Sequence, residues 1–204
     1  YTLPVFSANN LDQFLIKYFE ELNRQSWTLI PIPMDFALQL QNSAKEKRHS
    51  NQFKQAGITQ SVKPQLNIRN DQIFWLDQTT TYQTPIDRLA FEQLEALTQC
   101  LKNYFRISLT EFECHYAVFE AGHYYQKHLD TTHENNKRIF SFVIYLNENW
   151  EPHDGGQLIG YTQNKKIFEI LPRMGHMMLF KSDLEHEVLA THKTRYSLTG
   201  WIRR

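Results

Sequence analysis

The sequence predicts a mainly β protein with flanking helices: a double-stranded β-helix (jelly-roll) core behind an N-terminal helical buttress. Three observations carry this. Up to about Arg106 the apolar residues recur with helical spacing, and beyond it they alternate with the period of strands. Turn-forming residues cut that second half into eight short runs, which favours a closed barrel or a double-sheet jelly roll. A chain of 204 residues can bury a sizeable core in one domain. The expected organisation is a single domain over 1–204, with helical support and a loop hairpin in 1–106 and the β-helix core in 107–204.

Taken in order, Leu11, Phe14, Leu15, Tyr18, Phe19 and Leu22 form one stripe of an amphipathic helix. Pro31 and Pro33 break the chain, and Asp35 is the expected cap of a second helix from Phe36 to about Phe53. Its Lys45-Glu46-Lys47-Arg48 run reads as a solvated face. Gly57–Asn67 lacks periodic apolar residues and reads as a loop, and Ile68–Leu76 as a strand with a turn at Asn70-Asp71. Thr84-Pro85 is a cap-and-first-turn pair, after which Ile86, Leu89, Ala90, Leu94, Leu97, Leu101 and Tyr104 keep a helical period.

The expected strands are Phe112–Phe119, Tyr124–His128, Ile139–Leu146, Gln157–Thr162, Lys166–Leu171, His176–Lys181, Glu185–Thr191 and Tyr196–Arg203. Ala121-Gly122, Glu134-Asn135-Asn136, Asp154-Gly155-Gly156, Pro172-Arg173-Met174-Gly175 and Ser182-Asp183 supply turns between them.

Composition excludes several classes. Lys+Arg 22 balances Asp+Glu 22, and a net charge of zero argues against a generic nucleic-acid binder, which needs a basic stripe. No stretch reaches the roughly 18 apolar residues of a membrane span. Tyr1-Thr2-Leu3-Pro4 is not the charged start of a signal peptide. Two cysteines, Cys100 and Cys114, make no disulfide framework, so a reducing cytoplasm is the expected location.

The chemistry concentrates in four residues. His128 and Asp130, at i and i+2 of a strand, face the same way and can share an ion. His186 opens a late strand and offers a third ligand. Two imidazoles and one carboxylate leave three positions open on an octahedral ion, the pattern of non-haem Fe(II) oxygenases, although the same set also serves zinc hydrolases. Arg195, nine residues after His186, favours the oxygenase. A buried arginine needs a partner, and its planar fork suits a carboxylate, here the distal one of 2-oxoglutarate. Tyr145, near the end of its strand, can give its hydroxyl to the same group.

At these residues the chain resembles the 2-oxoglutarate/Fe(II)-dependent dioxygenases, and within them the prolyl 4-hydroxylase family of the hypoxia-sensing prolyl hydroxylases and their bacterial relatives. The matching text is Ile68–Trp75, Tyr124–Asp130, Ile144–Trp150, Gly155–Leu158 and His186-Glu187-Val188, then Arg195–Trp201. The resemblance implies that His128, Asp130 and His186 hold iron and that Arg195 and Tyr145 hold the 2-oxoglutarate tail. Thr199 would share that pocket, with Trp201 near the metal and Tyr125 lining the approach to it. Phe119 stands where relatives often carry a tyrosine, which removes a hydroxyl near the co-substrate.

What the resemblance implies for activity is hydroxylation of an unactivated C–H with release of succinate and CO2, using Fe(II), 2-oxoglutarate and O2, with ascorbate as reductant. The expected substrate is a prolyl residue of a protein or peptide, translation-machinery proteins being one candidate class, with Gly57–Asp77 and Thr131–Lys137 as contact loops. Two other readings are a hydroxylase of a small molecule such as free proline, and a non-catalytic metal- or ligand-sensing jelly roll. A deep pocket with a basic residue beside the iron would favour the first, and the second is disfavoured by an intact ligand set with Arg195 and Tyr145.

Overall fold

The computed structural model describes residues 11–57, 68–77, 84–131 and 136–204. Helix α1 (Leu11–Gln25) buries Leu15, Tyr18, Phe19 and Leu22, as the stripe predicts, while Phe14 stays exposed. A left-handed Ser26 then turns the chain into strand β1 (Trp27–Pro31), which the pair of prolines had hidden. Pro31 is tolerated there because β1 is an edge strand and Pro31 is its last residue.

Helix α2 (Met34–His49) begins two residues before Phe36, with Pro33 at the cap position. Asp35 is therefore no cap; it sits in the first turn, where a negative charge suits the helix dipole. The helix stops at His49, short of Phe53, and Asn51 beyond it is left-handed. The charged run on this helix is not simply solvated. Lys47 is buried, its ammonium 2.6 Å from Asp87 and 2.7 Å from the Ser43 hydroxyl, and Arg48 pairs with Glu120 and donates to the Tyr196 hydroxyl at 2.7 Å. A buried charge persists only when paired and hydrogen-bonded, and Asp87 and Ser43 meet that demand.

Strands β2 (Lys54–Gln55) and β3 (Gln72–Leu76) form a hairpin, and helix α3 (Pro85–Phe105) follows. The Thr84 hydroxyl accepts the Asp87 N–H at 3.3 Å, so the expected cap is present. Helix α3 buries Ala90, Leu94, Leu97 and Leu101 and ends at a left-handed Arg106. Residues 58–67 and 132–135 of the two expected contact loops lie outside the described residues.

Eight strands follow: β4 (Glu111–Phe119), β5 (Tyr125–His128), β6 (Arg138–Tyr145), β7 (Leu158–Thr162), β8 (Lys165–Ile170), β9 (His176–Lys181), β10 (Glu185–Val188) and β11 (Arg195–Arg203). All eight expected strands are present. The only long misplacement is β10, whose extension to Thr191 survives as an isolated bridge to Gly155.

The strands make a seven-stranded sheet, β1-β9-β6-β11-β4-β3-β2, and a four-stranded sheet, β5-β10-β7-β8, antiparallel throughout. One apolar cluster joins the large sheet to the helices, through Leu22, Leu40, Leu94, Tyr116, Phe142 and Leu198 among others. A second lies between the sheets, with Ala117, Val143, Phe180, Phe168 and Val188. Each fully buried leucine contributes roughly 1.5–3 kcal/mol. Strands β1 and β3 come from the first half of the chain, so that half supplies sheet as well as helical support. The packing also explains Gly160 of β7: a Cβ there would lie 2.2 Å from the Phe168 ring. No helix among the described residues is long and apolar enough to cross a membrane.

Candidate active site

Strand alternation puts every second residue of the large sheet on the face toward the small one. On β11 that row is Arg195, Ser197, Thr199 and Trp201, and opposite it on β4 stand Phe119, Ala117, His115 and Glu113. On the other side β6 aligns Tyr145 with Ser197, Val143 with Thr199 and Ser141 with Trp201. The small sheet closes the space with Tyr125 and His128 of β5, His186 and Val188 of β10, and Leu158 of β7. A pocket results, with Arg195 toward one end of the row and Trp201 toward the other.

His128, Asp130 and His186 meet in this pocket with one ligand atom each, all within 4.8 Å of one another. His128 and His186 are register partners across β5 and β10. Their Nε2 atoms lie 3.6 Å from Asp130 Oδ1 and 3.5 Å from Asp130 Oδ2, respectively. Nδ1 of His128 is 2.7 Å from the Gln126 carbonyl, and Nδ1 of His186 is 2.8 Å from that of Leu184. A carbonyl only accepts, so each Nδ1 carries the proton and each Nε2 keeps its lone pair for a metal. Tyr125 stacks flat on the His128 ring at 3.6 Å, and Phe180 meets His186 edge-on at 4.8 Å.

Protonation suits the same role. Burial, reinforced by His128, pushes His186 down to about 4, so it is neutral at neutral pH. Burial alone would raise the Asp130 carboxyl, but His186, His128 and the Ser141 hydroxyl hold it well below the usual carboxylate range. Two imidazoles beside one carboxylate fit a divalent ion such as Fe(II).

Arg195 is 1% exposed, and among the described residues no carboxylate pairs with it. Its Nε and the Tyr145 hydroxyl are both buried without a hydrogen-bond partner. The guanidinium lies 5.7 Å from the Tyr145 ring and 5.0 Å from the Phe119 ring. Burial lowers the Arg195 pKa from its ordinary value, yet a guanidinium stays cationic in a protein. Burial also raises the Tyr145 phenol, which therefore keeps its proton. A buried cation with an unpartnered Nε beside an unpartnered O–H donor has the chemistry that suits a carboxylate. Gly156 lets the Gly-Gly turn approach that arginine, since a Cβ there would sit 3.0 Å from Arg195 Cδ.

The remaining residues singled out in the sequence gather here as well. Thr199, Trp201 and Tyr125 line the pocket, and the Thr199 hydroxyl donates to the Phe142 carbonyl at 2.9 Å. Tyr145 is not among the lining residues; its ring lies 5.7 Å from the Arg195 guanidinium. Phe119 faces Arg195 in register and brings no hydroxyl.

Several lining residues had no role in the sequence reading. Arg69 donates to Asp71 through two nitrogens, at 2.8 and 2.6 Å, and stacks over Tyr125 at 4.5 Å. His115 is buried between Trp75 and Trp201, its Nδ1 without a partner. Ser141 donates to Asp130. The signal that could have exposed Ser141 and His115 is a polar residue at an inward position of an otherwise apolar strand.

His115 and His186 make a stability prediction. Burial, aided by Arg69 and Arg138, pushes His115 down to about 3. The unfolded chain, with histidine near 6.5, takes up protons first as the pH falls, so folding stability is full above about 6.5 and declines toward 4 and 3. Between pH 7 and pH 5 each histidine is expected to cost about 2 kcal/mol. Urea unfolding of metal-free protein measures this. A pH-independent stability, or a pH dependence that His115→Leu leaves unchanged, contradicts the prediction.

Comparison with known proteins agrees with this geometry. Residues 114–203 match the 2OG-Fe(II) oxygenase superfamily. Human prolyl hydroxylase EGLN3 is 32% identical over 81 residues, 38% of this chain and only 34% of that protein's length. A Trichoplax adhaerens prolyl hydroxylase, solved with a peptide fragment of the hypoxia inducible factor oxygen degradation domain, shares the fold at a TM-score of 0.74 and 22% identity, covering 94% of this chain and 90% of the other. A Pseudomonas putida prolyl-4-hydroxylase superposes with a TM-score of 0.84 at 32% identity, over 94% of this chain and 100% of that one. With likeness at that level along the whole of the bacterial enzyme, the chain belongs to the 2-oxoglutarate/Fe(II)-dependent dioxygenases, in their prolyl 4-hydroxylase family.

Proposed function

We propose that the protein hydroxylates a prolyl residue, at C4, in a protein or peptide substrate, converting 2-oxoglutarate to succinate and CO2. The observation that carries the reading is the meeting in one pocket of a His/Asp/His triad and a buried Arg195, whose Nε, like the buried hydroxyl of the adjacent Tyr145, lacks a hydrogen-bond partner. His128, Asp130 and His186 would hold Fe(II), which with 2-oxoglutarate and O2 supplies the oxidising power needed for an unactivated C–H. Ascorbate would keep the iron reduced.

The chain's own residues supply position and exclusion. Arg195 and the Tyr145 hydroxyl hold the distal carboxylate of 2-oxoglutarate by charge-assisted hydrogen bonds. Ala117, Val143, Leu158 and Val188 give that region apolar walls. Tyr125 keeps the His128 ring in one orientation by stacking on it. Trp75 is 44% exposed yet packs on His115 and Trp201, which places an aromatic platform at the rim of the pocket. Aromatic surfaces of this kind suit proline-bearing extended segments.

The pocket does contain a second basic residue, a feature that would favour a small-molecule hydroxylase, but Arg69 is ion-paired with Asp71 through Nε and Nη2. Its charge is already balanced by Asp71, which weakens its hold on the carboxylate of free proline, and this favours a peptide. We take residues 1–204 as one working unit, because the helices and the large sheet share a core. A cytoplasmic partner, translation-machinery proteins among the first to test, fits this reading.

The test is mass spectrometry of the cell's proteins with and without the enzyme, followed by assay of the purified protein on the peptides found. The expected result is a set of prolines that gain one oxygen, with equimolar succinate in the assay. Succinate coupled only to free proline would refute the peptide reading.

A further inference from the structure

We propose that Ser141 is a positioning residue for the metal ligand Asp130, and that Ser182 sets the direction of its hydroxyl. The inference rests on the metal-site reading above and goes beyond it. Ser141 Oγ donates to Asp130 Oδ2 at 2.7 Å, and Ser182 Oγ lies 2.9 Å from Ser141 Oγ. A hydroxyl has one proton, and that of Ser141 goes to a carboxylate that can only accept; the second bond must be donated by Ser182. Both serines are buried, at 2% and 0% exposure, so neither bond is traded with solvent. A donor that itself accepts a hydrogen bond is polarised and binds its acceptor more strongly.

The relay is anchored on both sides of the site. The Ser182 N–H donates to Ile139 O of β6 at 3.0 Å, and its carbonyl accepts the Thr131 N–H at 3.2 Å, directly after Asp130. Ser141 sits on β6 opposite Phe180 of β9 and Trp201 of β11. Two hydroxyls thus fix the rotation of the carboxylate about its last torsion, which is otherwise broad. Oδ2 accepts the Ser141 hydrogen bond, which would leave Oδ1 the freer oxygen for an ion. Coordination through one oxygen preserves the open positions that a co-substrate and O2 require.

The experiment titrates Co(II) into metal-free protein and reads affinity by calorimetry and coordination by the visible spectrum. Ser141→Ala is expected to weaken Co(II) binding about 10–100-fold and to change the spectrum. Ser141→Thr, which keeps the hydroxyl, restores both. Because Ser141→Ala strands the Ser182 hydroxyl, the double variant S141A/S182A serves as the well-folded counterpart, since removing both partners of a buried hydrogen bond is nearly neutral. It is expected to melt above the single variant, since no serine hydroxyl is stranded, and to bind Co(II) as weakly as the single variant does. Wild-type affinity in either alanine variant overturns the proposal. A wild-type protein that binds no Co(II) overturns the metal-site reading, and the relay with it.

Discussion

Arg195→Leu is expected to raise the KM for 2-oxoglutarate by two to three orders of magnitude while leaving metal affinity close to that of the wild type. The guanidinium is 1% exposed and no carboxylate among the described residues pairs with it, so its partner is expected to arrive with the co-substrate. Removing one member of a buried ion pair costs about 3–5 kcal/mol, which sets the fold-change. Leucine fills part of the stem's volume and spares the variant a large cavity. Folding is not expected to suffer, because burying an unpaired guanidinium is itself unfavourable. Steady-state kinetics in 2-oxoglutarate and Co(II) calorimetry separate the two effects. A KM within fivefold of wild type would remove Arg195 from the co-substrate site. Tyr145→Phe is the milder companion, because Tyr145 gives one neutral O–H to the same receptor and Phe119 across the row gives none.

How much of this was legible in the sequence depends on whether the signal was local. His128 and Asp130 are i and i+2 on one strand, so a shared face follows from the pleat alone. The eight strands after Arg106 follow from alternation and turn residues. Register does not, because it is set by pairing between distant segments. No spacing rule says that Thr199 stands opposite His115, or Arg195 opposite Phe119. The serine relay depends on such placements, since it joins β6 to the turn after β9 across 41 residues. Lys47 was misread for the same reason: its partner Asp87 is 40 residues away, so locally it is only one charge in a run. Strand β1 was missed because two prolines outweigh three apolar residues in a local reading, and only the sheet shows that Pro31 ends an edge strand. The arginine pair of the pocket divides along this line too. Arg69 and Asp71 are neighbours in sequence, but only the bridge from Arg69 to Tyr125 brings them beside the triad.

His128→Ala is expected to abolish succinate formation and to weaken Co(II) or Fe(II) binding by more than about 100-fold, since loss of a ligand costs more than the 10–100-fold typical of a group that only orients one. The variant leaves β5 able to pair, because His128 meets His186 through backbone register and only its side chain would reach an ion. The stacked Tyr125 ring loses its neighbour and gains freedom, so a small fall in melting temperature is expected as well. The diagnostic comparison is with Arg195→Leu. The histidine variant should lose metal affinity, whereas the arginine variant should keep it and lose co-substrate affinity. Two half-sites in one pocket predict that these defects separate. If His128→Ala still binds Co(II) tightly and still forms succinate, the ion is not held by this triad, and the open positions inferred for the co-substrate and O2 have no basis.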